Sequence, residues 1–322
     1  MKVGIVGAGI AGLACADRLA EQGWQIRLFD KARGPGGRMS TRRLATDHGD
    51  ASFDHGAQYF TARDARFRAA VSGWQGRGIV APWAAAGDEA LVGVPAMNAV
   101  VRDMARGHDV TFGAAVRAVE HRGDGWHLHL AGSAAGPFEI LVLAIPAEQA
   151  APFLSLHDFA LGRAALRERS VPCWTAMLAF DRPLPVASDV LSGEGVIGWA
   201  ARNNAKPGRR GPESWVLHAS PQWSERHCED EGEAVLQRLV EGFASEFGLD
   251  LPPPLASAIH RWRFAMTPGT GDTCLWNGDK LLGACGDWLL GPRVECAWLS
   301  GHLLGARIQS SITGQHKVES AA

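Results

Sequence analysis

Three glycines near the start of the chain constrain its fold more than any other feature. Gly7, Gly9 and Gly12 form a G-x-G-x-x-G directly after the apolar run "KVGIV" and directly before a segment of helical periodicity. The apolar run reads as a buried strand. Residues 10–22 read as a helix, with apolar positions at Ile10, Leu13, Ala14 and Leu19 and with Gly23 as its stop. "QIRLFD" reads as a second strand ending on Asp30. This is β-α-β at the size of a dinucleotide-binding unit. In such a unit the first glycine permits a tight turn, the second lets the backbone approach a pyrophosphate, and the third allows close packing of helix on strand. The helix N-terminus offers N–H groups and a partial positive charge to the phosphates. Asp30 stands where a carboxylate accepts hydrogen bonds from ribose hydroxyls.

The stretch "DKARGPGGRMSTRR", Asp30 to Arg43, goes beyond what an ordinary NAD site needs. Gly34, Gly36 and Gly37 can take backbone shapes closed to other residues, so the loop is expected to lie against a dinucleotide with Arg38 aimed at its diphosphate.

The remaining chain is long enough for two interleaved domains, at 322 residues of which 46% are hydrophobic. "FEILVLAIP" reads as a buried strand closed by Pro146, and "KLLGACGD" as a later one followed by a helix over "RVECAWLSGHLLGARIQSSI". After about residue 150, "CWTAMLAF", "GVIGWAAR", "SWVLHAS" and "SAIHRWRF" read as strands of a second sheet, with a long helix near 231–247. "RNNAKPGRRG" reads as a polar loop; its arginines could meet a dinucleotide's phosphates, but a solvated turn is the favoured reading. A net charge of −2 gives no reason to expect nucleic acid. Apolar runs such as "EILVLAIPA" fall well short of the roughly 20 residues of a membrane span, so no membrane association is expected. None of the six cysteines forms C-x-x-C and no histidine pair has zinc spacing, so no metal is expected; the pattern suits a reducing, cytoplasmic setting. Oligomeric state is not legible.

The stretches "GAGIAGLACADRLAEQG" and "LFDKARGPGGRMSTRR" resemble the flavin-containing amine oxidase superfamily. "FDHGAQYFTAR", "VPCWTAMLAF", "HRWRFA" and "CGDWLLGPRVECAWLSGHLLG" are similar to its renalase-like oxidoreductases, particularly bacterial ones. The resemblance implies an α/β fold: a Rossmann-like FAD-binding domain of the amine oxidase / p-hydroxybenzoate hydroxylase type, and a second, sheet-based substrate domain. The FAD domain is expected over 1–64, 95–150 and 265–322, and the substrate domain over 65–94 and 151–264. The resemblance also implies non-covalent FAD. Gly7, Gly9, Ile10, Ala11 and Gly12 match the diphosphate turn. Asp30 stands where the family often has Glu, followed by Lys31. Gly37 and Arg38 match the "GGR" segment, and Gly56, Ala57, Gln58 and Tyr59 match the segment near the flavin ring. Val116 matches a strand residue whose backbone meets the adenine, and Asp287 an acid near the ribitol. Val294, Glu295 and Ala297 open the last helix, whose N-terminus is expected to face the flavin's pyrimidine edge. Cys296 and Pro292 depart from the family's usual residues there.

Two reactions compete under this resemblance. Renalase-like enzymes oxidise isomeric dihydronicotinamides, 2- or 6-dihydro-NAD(P), to NAD(P)+ by hydride transfer to flavin N5, and O2 is reduced to H2O2. Aromatisation drives that step and no general base is required. Amine oxidases of the superfamily usually frame the amine with two tyrosines and hold a water with a lysine. This chain has one tyrosine, Tyr59, and one lysine in its substrate half, Lys206 in the polar turn, which disfavours oxidation of a small amine. A third reading, a non-catalytic flavin-fold binding protein, sits poorly with complete glycine motifs. Candidates for lining the substrate are Gln58, Tyr59, Trp199, Asn203, His218, His260, Trp262 and Trp288. Alternation along "SAIHRWRF" puts His260 and Trp262 on one face.

Overall fold

A computed structural model describes residues 1–319 of the chain. It divides into two compact units, each assembled from separated stretches: Met1–Gly37, Val101–Arg169 and Thr267 onward in the first, and Arg38–Val100 with Ser170–Met266 in the second.

The first unit is built on a six-stranded sheet in the order Leu275–Asn277, Leu282–Ala284, Ile140–Leu143, Lys2–Val6, Gln25–Asp30, Asp109–Phe112. All pairs are parallel except the edge pair formed by Leu275–Asn277 and Leu282–Ala284. Its central strands are apolar on both faces, as a parallel sheet covered on both sides requires. The first helix, Ile10–Ala20, runs from the glycine turn. The last, Val294–Glu319, packs along it through two glycines: a Cβ at Gly301 would meet Ala11 O at 1.9 Å, and one at Gly305 would meet Arg18 Cβ at 2.7 Å. Two helices, Ala147–His157 and Phe159–Leu166, belong to this unit, with Ala150, Leu154, Leu161 and Ala165 in its core. They precede the second sheet, whose first strand, Val171–Phe180, contains the expected "CWTAMLAF". The compact units also divide the chain elsewhere than at the expected domain borders: 38–64, 95–100 and 265–266 fall in the second unit, and 151–169 in the first.

The second unit carries a five-stranded antiparallel sheet, ordered Val190–Ser192, Ile197–Arg202, Glu213–Ala219, Val171–Phe180, Ala256–Met266. One face packs under the helix Gly232–Phe247, with Ala176, Leu178, Leu217, Val235, Leu239 and Phe243 interdigitating. That helix has apolar residues at 235, 236, 239 and 243, the spacing of a single buried stripe. Part of the other face is covered by the hairpin of Thr41–Leu44 and Ala51–Asp54, whose Ala51 and Phe53 meet Met177, Ala179 and Val216. No helix among the described residues is long and apolar enough to cross a membrane.

Candidate functional site

In the first unit the glycine turn has the geometry its sequence implies. Gly7 has φ +102°, and a Cβ there would stand 2.3 Å from Ala144 O; one at Gly12 would stand 2.0 Å from Gly7 O. Around Gly9, by contrast, nothing lies within 4 Å of a Cβ position. Gly9 caps the first helix without a side chain, so the first-turn amides of Ile10, Ala11 and Gly12 have no intrahelical acceptor. Open space, aligned amides and a helix N-terminus together fit a diphosphate. The loop after Asp30 folds back on this turn: a Cβ on Gly37, φ +54°, would stand 3.7 Å from Gly9 Cα. Asp30 is first of all a local brace, its Oδ2 accepting from the Ala8 amide and its Oδ1 from the Ala32 amide, both at 2.8 Å. Lys31 is exposed beside it.

Val116 is not in a strand. It lies in the loop between Asp109–Phe112 and Ala118–Arg122, half-buried against the core. Asp287 is buried at the start of the short helix Asp287–Leu290. Val294, Glu295 and Ala297 open the last helix as expected, and Arg293 pairs with the buried Glu295 carboxylate at 2.9 Å. Trp288 does not line a substrate face. It is 1% exposed in the core of the first unit, and its Nε1 donates to Ile145 O at 3.2 Å.

In the second unit, strand register gathers residues that are far apart in sequence. Trp199 pairs with His218, His218 with Thr175, and Thr175 with His260, so the four form a row across one face of the sheet. Trp262 lies two residues along the strand from His260, and the two rings are 4.3 Å apart. His55 closes over both, 5.0 Å from His260 and stacked on Trp262 at 5.1 Å, while Trp262 Nε1 donates to His55 O at 2.8 Å. Tyr59 packs against Trp199 at 5.8 Å. The alternation that paired His260 with Trp262 thus places both on the face that carries the row.

Arg38 belongs to this unit. Its Nη1 donates to the carbonyls of Phe264 and Ala265 at 3.4 and 3.2 Å. Its own carbonyl accepts the Ala57 amide at 2.8 Å, so close that a Cβ on Gly56 would stand 2.0 Å from it. Gly56 therefore allows the segment through Tyr59 to lie on the Arg38 backbone.

Behind the row lies a buried charge cluster, two of whose members, Lys206 and Arg209, come from the loop whose composition predicts a solvated turn. Asp54 Oδ1 accepts from Thr41 Oγ1 at 2.7 Å and from the Met97 amide at 3.0 Å; Oδ2 accepts from Lys206 at 3.5 Å and from Arg209. Lys206 and Arg209 are 2% and 8% exposed, which reverses the expectation of a polar surface turn. Burial pushes the Asp54 pKa up, but Lys206, Arg209, the Met97 amide and the Thr41 hydroxyl outweigh it and hold it below the usual value. Burial pulls Lys206 down to about 8 against the attraction of Asp54. Lys206 Nζ also donates to Gln58 Oε1 at 3.0 Å and sits 5.1 Å above the Trp83 ring. Asn203 is fully buried and clamps the hairpin, its Nδ2 donating to Ser52 O at 2.6 Å and its Oδ1 accepting from the Asp54 amide at 3.2 Å. It braces the site rather than lining a substrate face.

Burial also lowers the histidines. His55 falls to about 4 through burial, then through the neighbouring His260; His218 falls to about 4 through burial; His260 is lowered by burial and then by Arg42. The row is therefore neutral at physiological pH. His55, Asp54, Thr175 and Arg209 escaped the sequence reading. Asp54 and His55 lie within the quoted "FDHGAQYF", and an acid inside a short apolar strand was the available signal.

Residues 80–274 match the family described as flavin containing amine oxidoreductase. The chain belongs to that family. Residues 5–72 match the NAD(P)-binding Rossmann-like domain. As a flavin containing amine oxidoreductase family member the chain is a flavoprotein, with FAD as its cofactor. The same fold occurs in a redesigned double mutant of putrescine oxidase (TM-score 0.71, 14% identity, 96% of this chain and 99% of that one). It occurs again in cyclohexylamine oxidase from Brevibacterium oxydans (TM-score 0.69, 13% identity, 97% and 99%). Curated relatives match locally. A zeta-carotene-forming phytoene desaturase of Myxococcus xanthus is 50% identical over 46 residues, 14% of this chain and 8% of that protein. The tRNA 5-methylaminomethyl-2-thiouridine biosynthesis bifunctional protein of Cupriavidus necator is 36% identical over 87 residues, 24% of this chain and 13% of that protein.

Proposed function

We propose that this chain is an FAD-dependent oxidase of the renalase type. It oxidises isomeric dihydronicotinamides, 2- or 6-dihydro-NAD(P), to NAD(P)+, with O2 as the final electron acceptor and H2O2 as product. When bound, FAD supplies the two-electron acceptor at N5 and passes the electrons to O2. On this reading Gly7, Gly9, Gly12 and the first-turn amides hold the diphosphate, with Asp30, Lys31, Gly37, Arg38, Val116 and Asp287 along the dinucleotide. Gly56–Tyr59 and the start of the last helix, Val294–Ala297, attend the flavin ring.

The observation that carries the reading is the row Trp199, His218, Thr175, His260 with Trp262 and His55 beside it. It offers flat stacking surfaces and neutral hydrogen-bonding rings. A dihydropyridine ring needs orientation and stacking but no base, because it gains aromaticity on oxidation. Of the charged groups behind the row, Lys206 and Arg209 both pair with Asp54. A cytoplasmic location is retained as part of this proposal.

One observation favours oxidation of a small amine: Lys206 is buried, not in a surface turn, with its pKa lowered to about 8. Against it, Lys206 Nζ is already bonded to Asp54 and Gln58.

Anaerobic stopped-flow separates the two. The holoprotein is mixed with a dihydronicotinamide isomer preparation, with ordinary β-NADH, and with benzylamine-type amines. The proposal expects rapid loss of visible flavin absorbance with the isomers alone. Bleaching by the amines only would replace it with the second reading, and a colourless protein that takes up no FAD would end both.

A further inference from the structure

Gln58 reaches the row from the segment after Asp54, and its amide orientation is set from behind. Lys206 Nζ, an ammonium and so a donor only, lies 3.0 Å from Oε1. The other end of the amide must then be the nitrogen, and its two protons face the carbonyls of Asp54 and, at 3.1 Å, Gly56. No proton remains for His218, whose Nε2 is 3.3 Å from Gln58 Nε2 and 3.3 Å from His55 O. A carbonyl only accepts, so His218 carries its proton on Nε2. Burial keeps the ring neutral. A neutral imidazole protonated at Nε2 has a bare lone pair on Nδ1. His218 Nδ1 has no hydrogen-bond partner among the described residues. It is not one of the sealed, unpartnered atoms of this unit, which are His55 Nδ1, Trp199 Nε1 and Arg209 Nε. His218 is thus a preset acceptor on the aromatic row. His260 makes only ring contacts, so nothing comparable sets its tautomer.

We propose that His218 Nδ1 is a specificity-determining acceptor for an N–H donor on the substrate ring, with its tautomer set by the His55 carbonyl and by Gln58, which Lys206 orients so that it offers His218 no proton. Resting on the dihydronicotinamide reading, that donor is the carboxamide NH2 of the ring.

The test compares two substrates on the holoprotein: a dihydronicotinamide isomer preparation with its carboxamide, and the 3-acetyl analogue, in which a methyl group replaces the NH2. Wild type is expected to show a KM about tenfold higher for the analogue, the cost of leaving a preset acceptor unpaired. His218→Phe should raise KM for the carboxamide substrate by about the same factor and erase the difference between the two. His218→Asn, whose short amide carries an oxygen close to the ring's Nδ1 position, should restore part of the ratio. Retained visible flavin absorbance controls for folding. Equal KM values in wild type, or a ratio unchanged in His218→Phe, would overturn the assignment while leaving the dihydronicotinamide reading in place. If neither pyridine compound bleaches the flavin and an amine does, the reading fails, and the assignment with it.

Discussion

Gly9 and Gly12 are one helical turn apart, and a methyl group would do different damage at each. At Gly12 it would stand 2.0 Å from Gly7 O, inside the protein's own backbone, whereas at Gly9 it would meet nothing within 4 Å. Gly12→Ala should therefore lower thermal stability, by about 3 kcal/mol as for other overpacked sites. Gly9→Ala should leave the melting temperature of the apoprotein unchanged and weaken FAD binding, because the added methyl occupies only the space a diphosphate would need. Thermal melts of the apoproteins and fluorescence titrations with FAD check both; full FAD affinity in Gly9→Ala would place the diphosphate elsewhere. The motif revealed that these glycines matter. It also assigns Gly9 to the ligand and Gly12 to helix packing, but not which of the protein's own atoms, if any, a Cβ at each would meet. Asp30 shows the same limit: its position after the second strand was legible, but its bonds to the Ala8 and Ala32 amides depend on how the loop turns back.

Helices and strands were legible wherever their apolar period was strong. The first helix, the 232–247 helix and the four long strands of the second sheet fall where periodicity puts them. Ala147–His157 and Phe159–Leu166 escaped, because alanine-rich stretches with an internal Pro152 carry little period. The partner of the first helix was also illegible. Gly301 and Gly305, one turn apart on the last helix, are where it meets the first. Gly301→Ala should push the two helices apart and cost about 1–3 kcal/mol. Urea unfolding measures this, and a variant as stable as wild type would show that the contact is not close. A glycine pair in a helix is a weak signal alone, since it specifies a close approach but not which element makes it.

At the scale of the whole molecule, buried titratable groups set the response to pH. His55 and His218 fall from an ordinary 6.5 to about 4 when folded, through burial first. Between those values the unfolded chain binds protons that the folded rings refuse, so stability is lost as pH falls through that window. Asp54, held below its usual value, adds a further loss at still lower pH. Lys206, lowered from 10.5 to about 8, acts at the other end: the unfolded chain holds more protons there, and stability rises as pH climbs through that range. The urea midpoint should decline from pH 6.5 to 4, and a flat midpoint would show that these rings are hydrated. The sequence by itself determined the dinucleotide fold, because glycine spacing, strand length and helical period are local properties that act within about thirty residues. Only the tertiary structure decided the second unit's chemistry. Strand register brought Trp199, His218, Thr175 and His260 into one row, and burial turned a polar loop into the ion cluster of Asp54, Lys206 and Arg209. Register pairs residues tens of positions apart and the ion cluster joins residues 152 and 155 positions apart, so no local window of the sequence contains the partners.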